Sequence, residues 1–333
     1  MSVVTHREAM QETPQVRRIL CLDGGGVLGT FSVAFLAAIE AELGLPIGGY
    51  FDLIAGTSTG GILAIALGMG LKASDVLELY QEHGADILGG DDTTITLRGL
   101  RRGGGLRWRR RGRKGAEKLR TVLREALGKK RLSEAVTRLL IPAWHPVRQS
   151  AYVYRTAHHD RALKDGGTTA VDIALATATA PTHLPAQLSG RGVGLIDGGI
   201  WANNPIALAV VEAIGPLGWD PASLRVMSLG CVVEGHGGNM GSRAGDLAQK
   251  LKDLFMDGQA RGAMGIAELL TGGDINQNVV YRVEHRVPGS NEPVDNAQVL
   301  RDVTRMGYAK AGERLPALSY VFFSRPAEPF TAV

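Results

Sequence analysis

The sequence has little cysteine: Cys21 and Cys231 are the two in 333 residues, each inside an apolar run. A disulfide scaffold and a cysteine-rich zinc site are therefore not expected, and a reducing compartment fits. A signal-like start is missing too, because the opening MSVVTHREAMQETPQVRR holds no apolar core. No apolar stretch reaches the ~20 residues that a spanning helix needs. The longest, from Gly60 to Leu71, stops at Lys72. These absences lead to the expectation of a soluble, cytoplasmic protein, at most peripheral on a membrane. A collagen-like G-X-Y period is also absent, although glycine contributes 45 residues. That is about twice the usual share, and in a globular chain it marks tight turns and close backbone approaches.

Acidic residues are missing from one segment. Between Arg98 and Lys114 lie nine basic residues and no acid: Arg98, Arg101, Arg102, Arg107, Arg109, Arg110, Arg111, Arg113 and Lys114. The whole chain carries 37 basic and 33 acidic residues, so the remainder is mildly acidic. Any attraction to an anionic partner belongs to that one segment.

What is present is a full set of core material, with 44% hydrophobic and 21% charged residues. This excludes a disordered chain and favours one large domain. Residues 1–16 read as a flexible polar arm, and 17–333 as the domain, with a basic insertion near 89–114. Arg18–Leu22 is a buried strand running into Asp23-Gly24-Gly25-Gly26. Phe31–Leu43 is a helix stopped by Gly44. Tyr50–Ala55 is a second strand, ending at Gly56-Thr57-Ser58-Thr59-Gly60, and an apolar helix follows to Met69. Further on, the pattern predicts helices over Ala73–Gly84, Ala116–Leu127, Ala170–Ala180 and Pro205–Ile214, and strands at Ala151–Tyr154, Gly194–Ile196 and Leu224–Leu229. Alternating buried strands and helices imply an α/β three-layer sandwich around a mostly parallel sheet.

Ser58 sits in G-x-S-x-G between a predicted strand and a predicted helix. A nucleophile on such a turn stands clear of the sheet, with Gly56 and Gly60 permitting the strained backbone. The helix N-terminus that follows favours a developing anion. Gly24-Gly25-Gly26-Val27-Leu28-Gly29 fits G-x-G-x-x-G, which serves either a dinucleotide phosphate or an oxyanion. A dinucleotide site wants an acid about 20 residues on, at the end of a second strand. Glu40 and Glu42 lie inside the helix instead, so an oxyanion hole from Gly24, Gly25 and Gly26 is the better reading. Asp197, before Gly198 and Gly199, closes a strand where a carboxylate can take a hydroxyl proton, although D-G is also a common turn.

D-G-G-G-x-x-G, G-T-S-T-G-G, A-T-A-P-T-H-L-P at 178–185 and D-G-G-I-W-A-N-N-P at 197–205 occur in this order. The set resembles the patatin-like phospholipases over about residues 18–210. The resemblance implies a patatin-like α/β fold and a lipid acyl hydrolase with a Ser–Asp dyad. Ser58 would be the nucleophile, Asp197 the base and the Gly24–Gly26 amides the oxyanion hole, with no metal or cofactor. Leu28 departs from the basic residue usual there. The absence of a signal or anchor also resembles bacterial patatin-like effectors of antiphage defence, which a cyclic dinucleotide switches on.

Two other functions fit parts of the pattern. One is an α/β-hydrolase triad, for which His236 and His285 follow Asp197 in the required order. Only 57 residues precede Ser58, too few for the strands that normally come before such a nucleophile. The other is a non-catalytic nucleotide-binding module using the glycine loop. His158-His159-Asp160 is set aside as a metal site, because neighbours on a strand point to opposite faces. For the basic segment a solvated surface competes with contacts from Arg107, Arg109, Arg110 and Arg111 to anionic lipid or to a cyclic dinucleotide. A phospholipid membrane surface is thus the expected partner and a nucleic-acid polymer is not, while the oligomeric state stays open.

Overall fold

The computed structural model describes residues 15–87, 105–179, 187–188, 194–235, 244–272, 279–288 and 296–333. Strand β1 (Arg17–Leu22) sits at the centre of an α/β sheet, with β2 (Leu53–Gly56) on one side and β7 (Leu224–Gly235) on the other, all parallel. Beyond β2 comes β3 (Arg138–His145), and beyond β7 comes β8 (Val280–Pro288), again parallel. The antiparallel strands gather around β3: β4 (Ser150–Arg155), β6 (Gly194–Asp197) and, paired to β6, the short β5 (Gln187–Leu188).

The apolar runs form strands because both faces are covered. Leu20, Leu22 and Ile54 enter the larger core cluster, and Ile19, Cys21, Leu53 and Ala55 the smaller one on the opposite face. The larger cluster holds α1 (Thr30–Leu43), α2 (Thr59–Gly68), α3 (Ala73–Ile87), α4 (Gly105–Leu127), α5 (Ala170–Ala178) and α9 (Asn296–Phe322). Between Asp197 and the other face run α6 (Gly199–Ala202), α7 (Ile206–Ile214) and α8 (Ala244–Leu270). Helices α7 and α8 supply Ala209, Val210 and Ala267 to the smaller cluster.

The stretch Gly26–Leu43 is longer and more apolar than the sequence reading allowed, and by composition it could cross a membrane. In this fold 61% of it is buried, and Phe31, Phe35 and Leu36 belong to the core. Helix α2 is buried all round, as an apolar helix inside a large domain should be.

Several boundaries differ from the sequence reading. Strand β2 begins at Leu53 because Ile47–Tyr50 forms a 3-10 turn. Strand β7 continues past Leu229 through a bulge and stays paired with β8 to Gly235. Helix α4 begins at Gly105, eleven residues before the expected Ala116. Leu106 and the arginines after it are good helix formers, so the amphipathic helix propagates back through them. Residues 1–14 of the expected arm and 89–104 of the basic insertion lie outside the described residues.

Candidate active site

A strand has two edges, and β3 uses both unevenly. Strand β4 takes one edge from Leu140 to His145. On the other edge β2 pairs from Arg138 to Leu140 and then stops, and β6 comes in antiparallel opposite Ala143 and Trp144. Asp197, opposite Ala143, therefore arrives just past the carboxyl end of β2. Ser58 stands there, between β2 and α2.

Ser58 is the residue before α2, with φ 55 and ψ −123. That left-handed backbone is uncommon for a side chain larger than hydrogen and turns the hydroxyl away from the helix. Three bonds hold the turn. Ser58 N–H donates to Thr177 Oγ1 at 3.0 Å, Thr57 N–H to Leu22 O at 3.1 Å, and Thr57 Oγ1 to Ala202 O at 2.6 Å. The glycines flanking Ser58 are spatial requirements. A Cβ on Gly60 would strike the carbonyls of Leu22 and Asp23, and one on Gly56 the carbonyl of Gly60. Gly29 lets the glycine loop lie against α2, since a Cβ there would fall 2.9 Å from Thr59 Cγ2.

Ser58 Oγ donates to Asp197 Oδ2 at 2.7 Å. The other carboxylate oxygen, Oδ1, accepts Gly199 N–H at 2.7 Å. Gly198 has no room for a side chain against the Pro142 carbonyl, so the chain can pass β3 closely there. Burial pushes the Asp197 carboxyl up to about 6, although the hydrogen bonds from Gly199 and Ser58 pull it back. A carboxylate so placed is a stronger base than an ordinary aspartate and remains ionised at neutral pH. Among the described residues no histidine bonds either group. The direct contact leaves no space for an imidazole between them.

The glycine loop follows β1 and faces Ser58. A Cβ on Gly24 would fall 3.1 Å from Ser58 Cβ. Its three amides are not equivalent. Gly24 N–H donates to Asn203 O at 3.0 Å, and Asn203 Nδ2 donates back to Gly24 O at 3.2 Å. The Gly24 amide is thereby spent on holding the loop. Among the described residues the Gly25 and Gly26 amides donate to no acceptor. Gly25 packs so closely on Cys231 that a Cβ would overlap its Sγ. Leu28, the departure from the basic residue usual at this position, packs against the larger core cluster.

Sequence reasoning gave no role to Thr177, Asn203 or Cys231. Asn203 lies inside the D-G-G-I-W-A-N-N-P stretch, so a signal existed. Thr177 and Cys231 come from segments with no motif of their own. The prolines of A-T-A-P-T-H-L-P and His236 lie outside the described residues. Arg107, Arg109, Arg110 and Arg111 belong to the backbone of α4, and their side chains lie outside the described residues. His285, on β8, has its ring 6.2 Å from Phe31.

His158 and His159 correct the sequence reading. They follow β4 and are not in a strand, so both rings turn to one carboxylate. Each Nε2 lies 3.0 Å from Glu212 Oε1, within 4.8 Å of the other ligand atoms. Arg161 N–H donates to His159 Nδ1, and Thr156 Oγ1, which accepts Leu139 N–H, can donate to His158 Nδ1. That network assigns the protons to both Nε2 atoms, so the rings donate to Glu212. Arg155 Nε adds a third donor at 2.9 Å. Burial alone would raise the Glu212 carboxyl, but His158 and Arg155 outweigh it and hold it at about 2.

A serine on a strained strand-to-helix turn thus touches a carboxylate on an α/β sheet, beside a glycine loop whose Gly25 and Gly26 amides meet no acceptor among the described residues. The family profile described as patatin-like phospholipase matches residues 20–210, and the chain belongs to this family. A cGAMP-activated phospholipase of Pseudomonas aeruginosa strain BWHPSA011 is 33% identical over 220 residues, 65% of this chain and 63% of that protein. A cGAMP-activated phospholipase of Vibrio cholerae is 28% identical over 242 residues, 68% of each chain. Patatin-like protein 2 of Arabidopsis thaliana is 32% identical over 228 residues, 58% of this chain and 52% of its own. The match thus spans less than two thirds of the Pseudomonas relative. Among solved structures, VipD from Legionella pneumophila has a TM-score of 0.50 at 11% identity, covering 92% of this chain and 67% of its own. That likeness shows the fold.

Proposed function

We propose that the chain hydrolyses acyl esters of membrane phospholipids through an acyl-serine at Ser58, under the control of a cyclic dinucleotide in antiphage defence. The observation that carries the chemistry is the 2.7 Å hydrogen bond from Ser58 Oγ to Asp197 Oδ2 on a turn with positive φ. Asp197 takes the hydroxyl proton as Oγ bonds the acyl carbon. The carbonyl oxygen becomes an oxyanion that the Gly25 and Gly26 amides receive. Collapse of this intermediate expels the lysolipid oxygen, which takes the proton from Asp197. Water then gives its proton to Asp197 and attacks the acyl-serine; the adduct collapses, Ser58 Oγ leaves and takes that proton back from Asp197, and the fatty acid is released.

Control by a cyclic dinucleotide rests on the names of the Pseudomonas and Vibrio relatives. The expected setting is peripheral, with the enzyme acting at the membrane surface. The experiment is fatty-acid release from phospholipid vesicles across a panel of cyclic dinucleotides. Ser58→Ala and Asp197→Ala should each abolish release in folded protein, and the double variant should lose no more than either single one. His285→Ala should keep most activity. Release that survives Ser58→Ala would overturn the chemistry. Release that is equal with and without every nucleotide would overturn the control.

A further inference from the structure

Asp23 follows β1 and opens the glycine loop, yet the reaction above gives its carboxylate nothing to do. It is buried, and a single guanidinium takes both of its oxygens. Arg282 Nη1 donates to Oδ1 at 3.1 Å and Nη2 to Oδ2 at 2.6 Å. Arg282 lies on β8, outside the residues 20–210 that the family profile covers. The sheet register explains its reach. Cys21 stands opposite Ser228, and Ser228 opposite Arg282. Asp23, two residues past Cys21, shares their face. Arg282 crosses β7 along that face, with Nη1 also donating to Ser228 Oγ at 2.7 Å. Its guanidinium lies over Gly230, where an added Cβ would fall 2.5 Å from Nη2. Burial works against the charge on Arg282, but Asp23 and Glu284 hold the proton on.

The geometry points to Arg282 as a positioning residue for the oxyanion site: through Asp23 it fixes where the Gly25 and Gly26 amides stand relative to Ser58. This rests on the acyl-serine reading above. Three successive glycines have wide backbone freedom, and Gly26 takes φ 53. Asn203 grips the loop at Gly24. Cys231 Sγ also donates to Gly24 O at 3.5 Å, and Asp23 N–H donates to Leu229 O at 3.0 Å. These bonds hold the main chain, and the Asp23–Arg282 fork adds a side-chain anchor on the opposite side of Gly24 from the Gly25 and Gly26 amides. A guanidinium fork fixes two atoms and a plane, which an ammonium cannot do. Donors that meet a transition state must already stand in place, and small displacements are costly to rate.

The test is kinetic and uses the full chain, with whichever cyclic dinucleotide supports wild-type turnover. Wild-type protein is first treated with a fluorophosphonate and the modified residue identified by mass spectrometry. Absence of label at Ser58 would overturn the acyl-serine reading, and this inference with it. With Ser58 labelled, the variants test the positioning role alone. On p-nitrophenyl butyrate, Arg282→Gln should lower kcat about 10- to 100-fold with KM nearly constant. Arg282→Lys, which keeps the charge without the fork, should fall between that variant and wild type. Gly230→Ala, which keeps both charges but displaces the guanidinium, should also lower kcat. A trifluoromethyl ketone, whose adduct carries the oxyanion, should lose affinity in proportion to kcat/KM. A residue that only stabilises the fold would lower the melting temperature and leave kcat per folded molecule unchanged. That result, or a rise in KM at constant kcat, overturns the inference. Should Arg282→Gln not fold, Gly230→Ala decides on the same readouts. If neither folds, Arg282 belongs to stability and the inference falls.

Discussion

At Ser58 the chain accepts a backbone conformation that costs about 1–3 kcal/mol for a non-glycine residue. Thr57, Thr177 and the packed glycines around the turn hold it there, and the return is a hydroxyl aimed at Asp197. Asp197 carries a cost of its own, because burial raises its carboxyl from 3.8 to about 6. A base must be ionised to act, so kcat/KM on a soluble ester should rise with pH through about 6 and level off above it. The stability consequence runs the other way. The folded state holds this proton more tightly than the unfolded state, so the contribution of Asp197 to stability is present below about 4 and is lost as pH rises through about 6. Asp197→Asn should therefore abolish turnover and stabilise the fold at pH 7 by on the order of 1 kcal/mol. Chemical denaturation at pH 4 and at pH 7 checks this, and a variant less stable than wild type at pH 7 would contradict it. The position of Ser58 was legible in the sequence, because it sits between an apolar strand and an apolar helix beside glycines. Asp197 was legible only through the order of the four motifs, since its D-G alone reads as a turn. The unequal use of the glycine amides was not legible. It depends on Asn203, which the fold brings back from nearly 180 residues away.

The elements that were easiest to read are those whose pattern is apolar on both faces. Strands β1 and β2 and helices α1 and α2 are of this kind: the strands lie at the centre of the sheet and the helices belong to the larger cluster on one face. The antiparallel pieces around β3 were not readable as such, since nothing local says which edge of β3 a short strand such as β6 will take. The start of α4 was misplaced for a different reason: arginine is a good helix former, and a charge run without apolar period hides that. The turn after β4 was misread because strand alternation does not continue past Arg155. Its two histidines and Arg155 meet Glu212 on α7, in a cluster that ties β4 to a helix of the other layer. Glu212 is 2% exposed, so removing its charge takes the shared acceptor from buried His158 and from the part-exposed Arg155. Glu212→Gln should cost about 2 kcal/mol in urea unfolding at pH 7. The sign with pH follows from the depressed carboxyl. Its stabilisation is complete above about 4.5 and is lost as pH falls toward about 2, so wild type should lose stability over that window more steeply than Glu212→Gln. Equal acid sensitivity in the two proteins would remove Glu212 from this role.

Across the whole molecule the charge is unevenly shared, and that division sets the last expectation. The nine cations between Arg98 and Lys114 face no acid in their own segment, while the rest of the chain is mildly acidic. Helix α4 begins inside this segment, with no acidic residue in its first turn. A helix start carries partial positive charge and is stabilised by anions, so cations gathered there repel it. An anionic surface brought to that end would relieve the repulsion as well as attract the arginines. Each basic residue near an anionic membrane contributes about 1 kcal/mol, which weakens as salt screens it. Replacing Arg109, Arg110 and Arg111 together with Gln should thus weaken binding to anionic vesicles roughly 100-fold at low salt. Hydrolysis of vesicle lipid should fall with binding, and its dependence on salt should flatten. Turnover of a soluble ester in the activated state should change less than about twofold, because long-range attraction delivers the substrate surface and does not hold the reacting atoms. Equal binding of the triple variant and wild type to anionic vesicles at low salt would reduce the segment to a solvated surface. A loss of soluble-ester turnover would instead make the start of α4 part of the active site.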